Sequence, residues 1–365
     1  MSQDNENIPT SANESVWGTD SDVSCFTLDE DGFTCSRVCD YPEVWRVELL
    51  MKDTFLPSVN AFVVRDSGET LVVDTGTPDP MNDTRLMRAL LRLGCDPERM
   101  RVFCTHAHND HTGLALELSL AGAEVIVGQG TLDDMRRFAV PSYRNFMAAR
   151  LASEGCDLSE GEELADVIWD HTLNLEAMGV PLSVVAPGDV VRCGCLEFEV
   201  VAAPGHTPGQ CVLWLPSERM AFLGDSVLYS CSTCLCFWDG TEDPLGLQLD
   251  TLSRIADLGV DKPFMGHGLP REGISVAKRC TDNIAHHERR SARALAAITA
   301  EPGHTGFELV GSMGWHAPDC GWAATPAITR WFLASESITH LDHLVATGAV
   351  RREFDERGVS RYYPA

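Results

Sequence analysis

The sequence predicts an α/β fold, and three features of the chain indicate this class. Strand-like apolar runs alternate with segments of helical spacing, which is typical of a sheet covered by helices. Several of the apolar runs end in a glycine-rich turn that carries one polar residue. The 44% content of hydrophobic residues is ordinary for a globular core in a chain of 365 residues. The predicted elements are, in order, strands 45–50, 59–64 and 71–73, helix 84–93, strand 101–104, helix 111–121 and strand 124–127.

A long interval with helical patterns follows these elements. Residues 132–179 include helical patterns at 143–151 and 161–176, and we interpret them as an inserted helical cap over a functional edge of the sheet. The alternative is extra scaffold remote from any site. Residues 190–201 then predict two paired strands around a turn at Gly194.

The charge and the N-terminal composition restrict the compartment and the partners. The 54 acidic and 28 basic residues give a net charge of −26, which disfavours nucleic acid or an anionic membrane surface as a partner. No uninterrupted apolar stretch is long enough to predict a membrane span. Residues 1–40 are expected to form an acidic disordered tail, and residues 1–24 contain no Lys or Arg with which a signal peptide would begin. We therefore expect a cytoplasmic protein that acts on a small molecule, and we leave a homodimer open.

The 14 cysteines are scattered along the chain, and without an export signal we expect most of them to be reduced and buried. Cys231, Cys234 and Cys236 form a cluster that could bind a third metal or act as a redox pair. Because apolar residues flank this cluster and no second pair with zinc spacing follows, we favour packing near the mouth of an active site.

The most informative segment is 105–113, which holds three histidines and one aspartate within six residues. His106 and His108 follow a predicted strand, and Asp110 and His111 come at the start of the next helix. A strand that ends in a tight loop can aim all four side chains at one point. Neutral imidazoles and carboxylates are natural ligands of Zn²⁺ and similar ions. The segment therefore predicts a metal centre rather than a polar surface turn.

Four further polar residues stand where short apolar strands end in glycine-containing turns: Asp74, His206, Asp225 and His267. Small residues beside them let the backbone approach a metal closely. An acid can also serve from outside the ligand set, by accepting the second N–H of a ligand imidazole. Two divalent ions roughly 3.5–4 Å apart can share a hydroxide, lower its pKa to about 7 and polarise the attacked oxygen.

These residues resemble the signature of the metallo-β-lactamase superfamily, which is His-x-His-x-Asp-His followed by a later His, Asp and His. The resemblance covers roughly residues 45–290. It implies an αββα metallo-β-lactamase sandwich over residues 41–298, with a helical insertion at about 132–179. It also implies two divalent metal ions as cofactors, with Zn²⁺ favoured and Mn²⁺ or Fe²⁺ as alternatives.

The resemblance further implies a role for each residue of the set. Asp110 and Asp74 are the candidate catalytic carboxylates, Asp110 as a metal ligand and Asp74 as the residue that holds the histidine loop. An Asp at the bridging position 225 resembles the glyoxalase II, lactonase and RNase Z branches, and His108 favours hydrolysis over the redox chemistry of the flavo-diiron branch. The implied ligands are His106, His108 and His206 for one ion, Asp110, His111 and His267 for the other, and Asp225 as the bridge between both.

Residues 322–365 are predicted to form a separate winged-helix-like domain. Helices over Pro326–Ala334 and Ser335–Ala346 precede a hairpin formed by 350–354 and 359–363. This order resembles the unit appended to the β-lactamase-like 2 subgroup, which includes an endoribonuclease-like protein.

The remaining histidines are expected to lie mostly on polar faces of helices. His286 and His287, on a helix predicted at 281–298, could alternatively reach the pocket and contact substrate. The same two alternatives apply to His171, His304, His316, His340 and His343.

Three functions compete for this sequence. The favoured one is a dinuclear metal hydrolase that uses a metal-bridging hydroxide to cleave a small ester, thioester or lactone. The alternative is a metal-dependent endoribonuclease or phosphodiesterase that holds RNA with the C-terminal unit. The third, a binding protein on a degenerate scaffold, is disfavoured because every ligand position is filled. Because the C-terminal unit holds five basic and five acidic residues, it lacks the basic excess expected of a nucleic-acid binder.

Overall fold

The computed structural model describes residues 25–52, 56–315 and 321–365. Two β-sheets form the centre of the fold. The strands of the first sheet are β1 (Cys25–Thr27), β2 (Thr34–Cys39), β3 (Glu43–Leu50), β4 (Ser58–Asp66), β5 (Glu69–Val73), β6 (Met100–Cys104), β7 (Glu124–Gly128) and β8 (Leu182–Val185). The strands of the second sheet are β9 (Val190–Cys193), β10 (Leu196–Ala202), β11 (Cys211–Leu215), β12 (Met220–Gly224) and β13 (Lys262–Met265). A separate hairpin consists of β14 (Val350–Phe354) and β15 (Ser360–Pro364).

The helices lie between and after these strands. They are α1 (Pro80–Arg92), α2 (Asn109–Thr112), α3 (Ala115–Leu120), α4 (Gln129–Phe138), α5 (Pro141–Ser153), α6 (Leu158–Asp166), α7 (Pro244–Leu258), α8 (Val276–Ala300), α9 (Gly306–Leu309) and α10 (Ala327–Ala346). Local sequence explains several of their starts. Asp79 accepts a hydrogen bond from the Met81 amide and is followed by Pro80 at the first position of α1, and Ser275 caps α8 in the same way.

Both sheets mix antiparallel and parallel strands. The first sheet runs in sequence order from β1 to β8, and it is antiparallel as far as β5 and parallel from β5 to β8. The second sheet has the order β13-β12-β11-β10-β9, with β12 and β13 parallel. The parallel strands β5, β6 and β7 consequently bring their carboxyl ends to one edge of the first sheet.

The two sheets pack face to face and carry helices on their outer faces. Phe62 of the first sheet contacts Phe222 and Phe264 of the second, with ring centroids 5.5 and 5.2 Å apart. Within β5, Leu71 and Val73 belong to this core between the sheets, whereas Val72 packs under α1 and α3. This alternation follows from the two-residue period of a strand, and burial on both faces explains the continuous apolar run. The predicted αββα sandwich is confirmed.

A third core lies outside the sandwich, between the inserted helices and the C-terminal helix. Phe138 and Leu151, from α4 and α5, are buried in one cluster with Trp331 and Ile338 from α10. Phe237, from the segment after β12, belongs to the same cluster and makes an edge contact with Trp331 at 5.4 Å. The insertion and the C-terminal helix therefore share one hydrophobic core.

Four predictions about elements were wrong. The expected tail over 1–40 extends too far, because β1 and β2 are strands of the first sheet, and residues 1–24 lie outside the described residues. The helix expected over 111–121 is two short helices, α2 and α3, separated at Gly113 and Leu114. The two helices expected between Pro326 and Ala346 are one continuous helix, α10. The second helix expected in the insertion also ends early, since α6 stops at Asp166.

The division into a hydrolase domain over 41–298 and a separate unit over 322–365 stays a prediction. Among the described helices, none combines the length and apolarity needed to cross a bilayer.

Candidate metal centre

The predicted site residues come from one edge of the sandwich, where strands of both sheets end. Asp74 directly follows β5, and residues 105–111 follow β6. In the second sheet, Asp225 directly follows β12, and His267 lies two residues beyond β13. His206 lies in the turn between β10 and β11. All seven predicted ligands and Asp74 are brought together at this edge.

Three histidines form the first group. His106 Nε2 lies 3.1 Å from His108 Nδ1, and His206 Nε2 lies 3.0 Å from the same His108 atom. These three nitrogens are close enough to one another to hold one ion. Three imidazoles that converge in this way are a donor set that suits Zn²⁺ and related ions.

The second group contains Asp110, His111 and His267. His111 Nε2 lies 3.6 Å from Asp110 Oδ2, and His267 Nε2 lies 3.2 Å from the same oxygen. Two imidazoles and one carboxylate form a mixed nitrogen and oxygen set, again with the ligand atoms close enough to share one ion.

Asp225 lies between the two groups. Its Oδ1 is 3.6 Å from His111 Nε2, and its Oδ2 is 3.7 Å from His206 Nε2 and 3.3 Å from His267 Nε2. Within the part of the chain that the structure describes, the buried atoms His111 Nε2 and Asp225 Oδ1 have no hydrogen-bond partner. Such atoms cost free energy when they are buried alone, so the arrangement fits divalent ions at this position.

The outer nitrogens of three of these histidines are held by oxygen acceptors. His111 Nδ1 lies 2.7 Å from Asp74 Oδ2. His206 Nδ1 lies 2.8 Å from the Cys234 carbonyl, and His267 Nδ1 lies 2.9 Å from the Ser58 carbonyl. A hydrogen bond donated from the outer nitrogen leaves the inner nitrogen unprotonated, which is the state that binds a metal.

Asp74 also fixes the start of the histidine loop. Its Oδ1 accepts a hydrogen bond from the Thr105 amide at 2.8 Å, and its Oδ2 accepts one from the Thr105 hydroxyl at 2.9 Å. Asp74 adopts a φ of 60°, a left-handed conformation that is uncommon for a residue other than glycine. The carboxylate thus connects the end of β5, the loop after β6 and one imidazole.

Glycines beside the site leave the space that the ligands occupy. A Cβ atom at Gly266 would lie 2.3 Å from Asp225 Oδ1 and 2.6 Å from His111 Cε1. Gly224 has a φ of 49°, and a Cβ there would lie 2.8 Å from Thr105 Oγ1. The glycines next to Asp225 and His267 are therefore required by close approach, as the sequence predicted.

Burial and neighbouring charges set the protonation states of the site. Burial lowers the pKa of His106 and His108 well below the usual range of histidine, and the surrounding imidazoles lower it further. For Asp225, burial acts to raise the pKa, but the charges of His267 and His111 outweigh it and leave the pKa below its usual range. Neutral imidazoles and ionised carboxylates are the forms that bind divalent ions.

Asp134 is a site residue that the sequence analysis missed. It lies on α4, is buried, and its Oδ2 accepts a hydrogen bond from the Gly209 amide at 2.7 Å. Gly209 ends the turn that carries His206, so Asp134 supports that ligand from the insertion. Burial raises the pKa of Asp134 to about 7. An acid in the predicted insertion gave no signal of this contact, since the contact is made with a segment 75 residues away.

A cavity of about 630 Å³ opens onto these ligands. The insertion contributes Tyr143 and Trp169 to its wall, and α10 contributes Trp331 and Phe332. The helical insertion therefore lines the site, as we expected of a cap. The cavity is also lined by His171, which had been expected on a polar helix face, and by Cys231, Cys234 and Cys236.

The cysteine cluster is consistent with packing at the mouth of the site. Cys231, Cys234 and Cys236 are all free thiols and partly buried. Cys236 packs against the hydrophobic core shared by the insertion and α10. Among the described residues, the groups able to hold a metal include none of these three cysteines.

The chain belongs to the metallo-beta-lactamase superfamily. The family model of that superfamily matches residues 55–267, which is more than half of the chain and spans all seven predicted ligands. This match confirms the predicted family.

Individual relatives agree with this assignment. The chain is 28% identical to a hydroxyacylglutathione hydrolase from Cereibacter sphaeroides over 53% of this chain and 57% of that protein. It is 22% identical to the beta-lactamase-like protein 2 homolog of Caenorhabditis elegans over 73% of this chain and 74% of that protein. The crystal structure of a beta-lactamase domain protein from Burkholderia ambifaria superposes with a TM-score of 0.74 at 25% identity, covering 90% of this chain and 94% of that one.

The first curated relatives are matched over only part of their length. The alignment covers 65% of an uncharacterized protein from Aquifex aeolicus and 57% of the hydroxyacylglutathione hydrolase. The likeness to these proteins therefore concerns the fold and the metal-binding region.

Proposed function

We propose that this protein is a dinuclear metal hydrolase that cleaves a small ester, thioester or lactone. The observation that carries the proposal is the position of Asp225, whose two oxygens face ligand groups on either side. The proposed ligands are His106, His108 and His206 for one ion, Asp110, His111 and His267 for the other, and Asp225 for both.

When bound, two divalent ions would supply a nucleophilic water of lowered pKa and would polarise the oxygen of the attacked carbonyl group. The protein's own part is to keep His106 and His108 neutral by burial and to hold the orientation of His111, His206 and His267 through Asp74 and the carbonyls of Cys234 and Ser58. The cavity wall then positions the substrate at the ligands and excludes bulk water.

The wall of the cavity favours a substrate with an apolar acyl or aryl group. Its described lining includes five aromatic side chains, and Trp238 among them stacks on Tyr143 with ring centroids 6.1 Å apart. Aromatic side chains of this kind bury large apolar area at a binding site. The described aromatic lining residues are Tyr143, Trp169, Trp238, Trp331 and Phe332.

The charges of the cavity disfavour a polyanionic substrate. Lys52 is the one lysine or arginine among the described lining residues, whereas Asp166 and Asp170 both line the mouth. A thioester of glutathione, the substrate named for the Cereibacter relative, carries two carboxylates that would need cationic partners. We therefore favour a neutral ester, thioester or lactone over a glutathione conjugate.

Hydrolysis by the metal-loaded protein tests this proposal. The panel contains a neutral aryl ester, an acyl thioester without charge, a lactone, a hydroxyacylglutathione thioester, a phosphodiester and single-stranded RNA. We expect turnover of one of the first three, and loss of that turnover in Asp225→Ala but not in Asp250→Ala, which changes an exposed aspartate of α7. Turnover confined to the phosphodiester or RNA would refute the proposed function, and turnover that survives in Asp225→Ala would refute the proposed site.

A further inference from the structure

A second group of buried polar side chains lies between α8 and α10, outside the proposed dinuclear centre. The buried face of α8 carries polar as well as apolar residues, and one of the polar residues is His287, which is 1% exposed. The facing side of α10 carries Glu336 and His340, which are 6% and 0% exposed. The expectation that His287 and His340 lie on polar helix faces was therefore wrong.

The three side chains converge on one point. One ligand atom from each of His287, Glu336 and His340 lies within 4.8 Å of the other two. His340 Nε2 is 4.0 Å from Glu336 Oε1, and the rings of His287 and His340 have centroids 5.5 Å apart. Glu336 and His340 are four residues apart on one helix, which places both on the same face. The same spacing is used by helical zinc sites that take two ligands from one helix.

Two of the nitrogens in this group have no partner. Among the described residues, neither His287 Nδ1 nor His340 Nε2 makes a hydrogen bond, although both atoms are buried. An unsatisfied buried group of this kind costs about 1–3 kcal/mol. Two unsatisfied buried nitrogens on side chains of one ligand cluster indicate an occupant beside them.

The surroundings prepare the ligands for a cation. His340 Nδ1 lies 2.8 Å from the Ser291 hydroxyl, and an N–H donated there leaves Nε2 with a free lone pair. Arg290 Nη1 donates a hydrogen bond to Glu336 Oε1 at 2.7 Å, which fixes the carboxylate. Burial, together with the neighbouring His286, lowers the pKa of His287 to about 3, so the imidazole is neutral.

We propose that His287, Glu336 and His340 form a third metal site, which binds one divalent ion, Zn²⁺ in preference. Two neutral imidazoles and one carboxylate are a common donor set for this ion. The positive charge of the Arg290 guanidinium repels a metal ion bound at this site, so the site binds its ion more weakly than the dinuclear centre and fills after it. A buried water is the competing occupant, since it would satisfy the same nitrogens.

Counting the metal ions bound by the full-length protein distinguishes a metal ion from a buried water at this site. Protein stripped with a chelator is titrated with Zn²⁺ in the presence of a chromophoric competitor, and the bound ions are counted by elemental analysis. We expect three ions per chain at saturation, the third at a higher free concentration than the first two. His340→Gln and His287→Gln should each bind one ion fewer than the wild type. His304→Gln, which changes a partly exposed histidine elsewhere, should bind as many as the wild type.

Three outcomes would overturn the proposal. The wild type could saturate at two ions, in which case the group holds water. All variants could bind as many ions as the wild type, in which case a third ion lies elsewhere. Asp225→Ala should lose ions from the dinuclear centre and keep the weak one, so loss of the weak ion in that variant also overturns the assignment. If one histidine variant does not fold, the number of ions bound by the wild type and by the histidine variant on the other helix still tests the proposal. The result does not depend on which substrate the dinuclear centre hydrolyses.

Discussion

Asp74→Asn tests how the carboxylate behind the metal centre acts. In the wild type, Oδ1 accepts from the Thr105 amide, while Oδ2 accepts from the Thr105 hydroxyl and faces His111 Nδ1. In the variant, the side-chain oxygen of Asn keeps the hydrogen bond from the Thr105 amide, so the NH₂ group of Asn must take the position of Oδ2. The Thr105 hydroxyl can rotate and accept, but His111 Nδ1 can accept only without its proton. The proton then moves to His111 Nε2, which faces Asp110 and Asp225.

The magnitude follows from this change of tautomer. A protonated Nε2 cannot bind a metal, so the variant must give up either a hydrogen bond at Asp74 or a ligand at His111. Loss of an outer partner typically costs about 10–100-fold in metal affinity or activity. That range corresponds to about 1.4–2.7 kcal/mol. We expect metal affinity and kcat to fall within it, while excess metal restores near-normal metal content.

Competition with a chromophoric chelator measures the affinity, and hydrolysis of the best substrate at saturating metal measures kcat. Asp96→Asn is the matched control, because Asp96 is a surface cap that accepts from the Glu98 amide and Asn can replace it there. Wild-type affinity and kcat in Asp74→Asn would refute the tautomer argument. Complete loss of one ion at saturating metal would make Asp74 a direct ligand.

Four further outcomes are expected. Protein purified without chelator should carry about two tightly bound ions by elemental analysis. Asp225→Ala should bind one of these ions less tightly and should lower kcat on the order of 10²-fold or more, while its circular dichroism spectrum shows an intact fold. Asp134→Asn should change the pH dependence of the unfolding free energy measured in urea: the native pKa of about 7 lies above the unfolded value near 3.8, so the wild type loses stability as pH rises through this window and the variant loses less. Trp169→Ala should lower kcat/KM for an aryl ester about tenfold more than for an acetyl ester, because it removes apolar wall. RNA should bind weakly at all salt concentrations in a filter-binding assay, and deletion of 322–365 should cause aggregation in light scattering; tight binding that falls steeply with salt and vanishes on deletion would put the nuclease first.

The metal centre was predictable from sequence because its ligands stand in the segments that follow strands β6, β10, β12 and β13. An apolar run, a glycine and one polar residue are local features, and the sandwich then brings the strand ends to one edge. Asp225 and His267 therefore appear in the sequence in the same context as in the structure. Their distances from the other ligands, in contrast, depend on the packing of the two sheets and follow only from the structure.

The C-terminal helix was predicted less well, and the reason is its burial. Residues of α10 are buried on nearly every side between 330 and 344, including polar ones such as Ser335 and Thr339. A helix buried all round shows no polar face, so no amphipathic stripe marks its length. The predicted boundary fell between Ala334 and Ser335, which lie in the interior of the helix. His340, which was expected on a polar face, is buried in the same helix.

The structure also bears on whether the C-terminal unit could hold RNA. Each of the five arginines of the unit is paired with a carboxylate, so few of their charges are left for phosphates. Arg330 pairs with Glu160 and Glu163 of the insertion, and Arg352 pairs with Asp342 at 2.6 Å. The other pairs are Arg351 with Glu353, and Arg357 and Arg361 with Asp355.

The same unit contributes directly to the cavity and to the proposed third metal site. Trp331 lines the cavity, and Glu336 and His340 lie about one and a half and two and a half helical turns further along the same helix. A helix that is paired with the insertion at one end and buried against α8 along its length forms part of the wall of the cavity. Its charged residues form ion pairs that stabilise this wall.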